Sequence, residues 1–112
     1  MNNISKINLQ DFRTPGSRVF TGRDRGIEVR NASKIDQIEV NNDTIIIEIP
    51  EDIGSINPSF LEELFLNVVV KLKSEKFFQK FQFDNKGRYQ IGNDLQEAVE
   101  RILREETALV HE

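Results

Sequence analysis

The chain has no cysteine and no tryptophan, and only one histidine, one methionine, one tyrosine and three prolines. Without cysteine there is no disulfide, thiolate zinc site, thiol nucleophile or redox switch. The single histidine, His111, stands next to last, so neither a Ser-His-Asp triad nor a multi-histidine metal site has the residues it needs. Long apolar runs are missing too. None approaches the roughly 20 residues that span a bilayer, and the first residues lack the basic-then-apolar pattern of a secretory signal. These absences predict a non-enzymatic, cytoplasmic protein that uses no metal and no cofactor and has no membrane partner.

What remains is an ordinary globular composition: 112 residues, 38% hydrophobic and 30% charged. That is one domain's worth of chain, with enough apolar surface for a single continuous core. The expected limits are one domain over 1–106 and a disordered tail over 107–112. The net charge of −4 is unevenly spread, with seven basic and five acidic residues over 1–40 but eight and fourteen over 41–112. An acidic balance argues against a dedicated nucleic-acid binder, whose affinity comes mainly from neutralising phosphates.

The pattern predicts a strand over Ile4–Leu9, then a turn at Thr14-Pro15-Gly16-Ser17, where proline presets the second position and glycine tolerates a positive φ at the third. Val19-Phe20 reads as a brief returning strand. Gly22 and Gly26 bracket a loop, and 27–38 reads as a short helix carrying Ile27, Val29, Ala32, Ile35 and Ile38. Thr44–Ile49 (TIIIEI) is the strongest strand: β-branched and nearly continuous in apolarity, as a central strand covered on both faces would be. A helix over 58–73 follows, with Leu66 and Val70 widening its apolar arc beyond one buried face. Phe77–Phe83 reads as a strand with Phe77, Phe81 and Phe83 on one face. Asn93 or Asp94 caps a last helix striped by Leu95, Ala98, Val99, Ile102 and Leu103. The order predicts an α/β sandwich, a mixed sheet of about four strands with two to three packed helices. A right-handed crossover joins its two buried strands in parallel.

The junction between TIIIEI and the long helix is the leading site. Ligands and partners dock at the carboxyl ends of strands in open α/β sheets, and a helix start presents backbone N–H groups to them. Two caps compete: Asn57 with Pro58 in the first helical position, or Ser59 with Glu62 closing a capping box. The expected partner-binding residues are Asn57, Pro58, Ser59, Glu62, Leu66 and Val70. A protein partner, or self-association through Leu66 and Val70, is expected to use them.

The string SFLEELF at 59–65 stands behind an Asn57-Pro58 loop and a β-branched strand. Upstream lie Asp11-Phe12, Thr14-Pro15-Gly16, Arg18, Thr21-Gly22-Arg23 and Gly26. Over about residues 5–85 this pattern resembles the STAS-like domain family of unknown function, related in fold to sulphate-transporter and anti-sigma-factor-antagonist domains. The resemblance implies a small STAS-like sandwich and a regulatory, anti-sigma-antagonist-like role with a kinase-like ATPase as partner. It also implies a phosphorylation switch at Ser59, with Ser55 as the second candidate. Those switch domains carry Asp-Ser-Ser-Gly at the junction, whereas Ser59 lies between Pro58 and Phe60.

A second reading rests on Arg13, Arg18, Arg23 and Arg25, interleaved with Gly16, Gly22 and Gly26 and followed by Arg30. Converging guanidinium groups would form an anion site for a nucleotide or nucleic acid.

Overall fold

The computed structural model describes residues 3–110, and side chains as far as Glu106. Its architecture is α/β. The strands are β1 (Ile4–Asn8), β2 (Val19–Phe20), β3 (Thr44–Ile49), β4 (Ser55–Ile56) and β5 (Phe81–Asn85). The helices are α1 (Arg23–Ser33), α2 (Ile35–Asn41), α3 (Pro58–Leu64), α4 (Leu66–Lys80) and α5 (Gly92–Val110), with a 3-10 turn at Leu9–Phe12 after β1. In place of the expected mixed sheet of about four strands there are two parallel sheets, of three strands (β1-β3-β5) and two (β2-β4).

TIIIEI is indeed the central strand, with Ile47 level with Ile7 on one side and Phe83 on the other. It is not covered on both faces. Ile45, Ile47 and Ile49 are buried, while Thr44, Ile46 and Glu48 are only half-buried. The strands follow one another across the sheet in chain order. Two right-handed crossovers running the same way place their helices on the same face. The opposite face carries Ile4, Lys6, Asn8, Ile46, Glu48, Gln82 and Asp84, none of them buried.

The helices depart from the sequence pattern in three places, and α4 is itself kinked at Lys73 (φ 65°, ψ 177°), where the pattern ends the long helix. First, the 27–38 segment is two helices, α1 and α2, hinged at Lys34 in the left-handed conformation (φ 57°, ψ 36°). Gly26 lies inside α1 rather than bounding a loop, because a Cβ there would stand 2.5 Å from the Phe60 carbonyl oxygen and 2.8 Å from Glu63 Cβ. Close packing of α1 on α3 outweighs glycine's poor helix propensity. Second, the long helix breaks at Phe65 (φ −101°, ψ 7°). The break delivers the Phe65 ring to Phe77, Phe81 and Phe83, at centroid separations of 5.3, 5.8 and 5.9 Å. Third, Phe77 belongs to α4, stacked one turn below Phe81 at 4.9 Å. A four-residue spacing satisfies both a helical and a strand face, so the pattern alone misplaced the boundary. The α5 stripe packs as expected, with Leu95, Ala98, Val99 and Ile102 buried. The α5 backbone continues to Val110, through part of the expected tail, and His111 lies outside the described residues.

One buried charge ties α2 to α4. Glu39 is 2% exposed. Its two carboxylate oxygens accept from Lys71 at 2.7 Å and Lys80 at 2.6 Å. Burial by itself would raise its pKa, but the two lysines outweigh that and hold the carboxyl below its ordinary value.

Two measurements follow from this frame. Lys34→Gly removes the steric cost of a left-handed β-carbon-bearing residue and should raise the unfolding free energy by about 1 kcal/mol in urea titration. For Glu39, the unfolded chain binds the proton first as pH falls. The contribution is therefore held above the unfolded carboxylate range near pH 4.3 and lost as pH drops toward the folded value. The urea midpoint of the native chain should fall more steeply between about pH 5 and 3 than that of Glu39→Gln.

Candidate functional site

The loop leaving β3 is exposed yet braced along its whole length. Ile53 and Ile56 are buried, while Glu51, Asp52, Gly54, Ser55 and Asn57 are exposed. The Gly54 N–H donates to the Arg18 carbonyl at 2.7 Å and the Asn57 N–H to the Phe20 carbonyl at 2.8 Å, so β2 holds both ends of β4. From the other side the Tyr89 hydroxyl donates to the Ile56 carbonyl at 2.9 Å and contacts Asp94. Burial, then the neighbouring Asp94, pushes the Tyr89 hydroxyl up to about 12, so it keeps its proton at neutral pH.

Arg13 clips the loop to the chain before β2. Its Nη1 donates to Asp52 Oδ1 at 2.7 Å, and its Nη2 to the Ser17 carbonyl at 2.6 Å. The ion pair holds the Asp52 carboxyl below the usual carboxylate range. Under the loop, at the carboxyl ends of β1 and β3, lies an open crevice of about 430 Å³ reached by Asn8, Gln10, Glu48, Glu51, Asp52 and Lys86. This is where a parallel sheet exposes its strand ends to ligands.

The start of α3 settles the competition between caps. Asn57 is the cap: its Oδ1 accepts from the Ser59 N–H at 2.9 Å and from the Ser59 hydroxyl at 2.7 Å. The Phe60 and Leu61 N–H groups both donate to the Asn57 carbonyl, at 3.0 and 3.3 Å, and Pro58 has no N–H to offer. The first turn is thereby closed on itself, without the outward amides the sequence suggested for anion recognition. Ser59 is half-buried and bonded, whereas Ser55 is exposed.

Glu62 does not close a capping box and is no partner contact on this surface. It is 4% exposed, turned inward between α1, α3 and α5. Arg23 lies 2.8 Å from its Oε2 and Arg101 3.8 Å from its Oε1. Neither oxygen has a hydrogen bond of good geometry. Leu66 and Val70 lie elsewhere again, half-buried in a groove between α4 and α5. The six expected contact residues thus divide among the Asn57-Pro58-Ser59 corner, of which Asn57 is exposed and Pro58 and Ser59 half-buried, a buried charge, and a separate groove.

The arginines of the second reading are dispersed. Arg13 is spent on Asp52 and Ser17, Arg23 on Glu62, and Arg25 on Glu28 at 2.8 Å and on the Phe12 carbonyl. Arg30 donates to the Glu63 carbonyl at 2.8 Å. Arg18 is exposed near Asp52. Arg13 and Arg25 line one small cleft, together with Asp11 and Glu28, while Arg18, Arg23 and Arg30 lie against other partners. Among the described residues no cluster of histidine or carboxylate groups has the geometry to hold a metal ion, and no helix is long and apolar enough to cross a membrane.

Sequence reasoning missed Tyr89, Arg101 and the Arg13–Asp52 clip. Arg101 also pairs with Glu97 one turn away at 2.8 Å and Tyr89 with Asp94, but the contacts to Glu62, the Ile56 carbonyl and Asp52 span long stretches of chain that no local spacing marks.

The arginines around Glu62 remain about half exposed, so removing the carboxylate leaves them hydrated rather than buried and unpaired. A buried carboxylate with poor hydrogen bonding recovers little of its desolvation cost. Glu62→Met is therefore expected to leave the unfolding free energy within about 1 kcal/mol of the native chain, or to raise it. Chemical denaturation with both arginines intact reads this directly. No protein-family profile, no curated protein and no solved structure matches this chain.

Proposed function

We propose that this domain is a non-enzymatic, STAS-like regulatory module that recognises a partner protein through the loop 50–57 and the Asn57-Pro58-Ser59 corner. The observation that carries the reading is the pairing of exposure with bracing. Five polar or small residues of that loop face solvent, while the Arg18 and Phe20 carbonyls and Tyr89 hold its backbone and Arg13 holds the Asp52 side chain. A preordered loop at the strand ends loses little conformational freedom on binding, which favours recognition of a folded partner.

The resemblance in SFLEELF and its upstream pattern supports a kinase-like ATPase as that partner. Should the module be switched by phosphorylation, exposure favours Ser55 over Ser59, whose hydroxyl is engaged by Asn57. A phosphoryl group at Ser55 would add about two negative charges beside Asp52 and so change the surface that a partner reads.

Site-specific photocrosslinking in native cells tests the reading. A crosslinker at Glu51 or Ser55 should capture one discrete protein species, and the same probe at Gln82 on the uncovered sheet face should not. Asp52→Lys should abolish the capture from Ser55. No discrete product from the loop, or equal yield from Gln82, overturns the proposal.

A further inference from the structure

The groove between α4 and α5 is built unlike the loop. Its floor is apolar, made by Leu66, Val70 and Ile102, and it encloses about 500 Å³ of open space. Its rims carry opposite charge. On the α4 side stands Lys71, with a side chain 54% exposed even though one of its protons goes to Glu39. On the α5 side stand Glu105 and Glu106. Glu106 accepts Lys73 through both oxygens at 2.7 Å, which closes the groove at that level. Glu105 is exposed and forms no ion pair among the described residues. The wider composition has the same bias, with four lysines against Glu75 over α4, which is kinked at Lys73, and five carboxylates against Arg101 and Arg104 over α5.

Such a surface is complementary to itself. An isologous interface brings residue i of one copy against residue j of the other, and j against i. A two-fold axis running along the groove lays α4 of one copy over α5 of the next. Lys71 and Glu105 line the same groove on opposite rims, so each lysine then faces the other copy's α5 rim, where Glu105 stands. A two-fold axis across the groove would instead stack α4 on α4 and oppose lysine to lysine. The charge pattern therefore selects one arrangement and penalises the other.

We propose that this groove is a homodimer interface in which two copies pair along the groove, merging their Leu66, Val70 and Ile102 floors and exchanging two Lys71–Glu105 ion pairs. The groove shares no lining residue with the crevice under the loop at 50–57, so pairing leaves that loop free.

Sedimentation equilibrium of the full chain tests this. The native protein should be dimeric at about 100 μM, a weak association with a dissociation constant on the order of 10 μM. Glu105→Lys replaces two attractions by two repulsions and should weaken the dimer at least about tenfold. Lys71→Glu should weaken it likewise, and a mixture of the two variants should form a heterodimer tighter than either variant with itself. Circular dichroism establishes that each variant is folded. If Lys71→Glu unfolds because it crowds Glu39, Glu105→Lys alone decides, since Glu105 is exposed and forms no ion pair among the described residues. A monomer throughout the concentration range overturns the proposal and gives the groove to another occupant. A dimer indifferent to Glu105→Lys overturns it as well.

Discussion

Ile45, Ile47 and Ile49 form the seam on which the rest of the molecule is assembled. They project from one side of β3, flanked at the same levels by Ile7 on β1 and by Phe81 and Phe83 on β5. Both crossovers pack back onto this seam. Because the strands follow in chain order, the handedness of those crossovers leaves no choice of side. A one-residue slip of β3 would turn its isoleucines to the bare face and expose the core. The loop at 50–57, α3 and α4 all leave from the end of this strand, so their positions follow from its register.

The buried and half-buried charges are matched across elements far apart in the chain. Glu39 takes two lysines and Asp52 takes Arg13, while Glu62 turns two arginines toward the space between three helices. These pairs differ in worth. Glu39 is fully hydrogen-bonded by its lysines, whereas Glu62 sits near its arginines without good hydrogen bonds. Removing a lysine would leave the Glu39 carboxylate buried and uncompensated, whereas Glu62 already recovers little of its desolvation cost. Spending the arginines one by one also explains why a segment dense in guanidinium groups does not gather all of them at one place.

The two surfaces proposed for recognition obey different physics. The loop at the strand ends is polar, small in side chain and held by backbone hydrogen bonds, which suits selective contact with a folded partner. The groove between α4 and α5 is an apolar trough with rims of opposite sign, which suits pairing with an identical trough. They occupy separate parts of the molecule, so a dimer would present two loops at once and couple partner recognition to avidity.

Wherever the code was local, the sequence was legible. TIIIEI is central, the α5 stripe is buried, Asn57-Pro58 starts a helix, and the fold is α/β. Helix breaks were not legible. Phe65 and Lys34 interrupt regular spacing because rings and helices from distant parts of the chain require it, and neither is a proline or glycine that would announce a break, whereas the kink at Lys73 falls where the pattern ended the helix. The burial of Glu62 and the bareness of one sheet face were equally hidden, since both follow from crossover order. Periodicity reports which residues seek a core; only the closed tertiary structure decides which side of each element finds one.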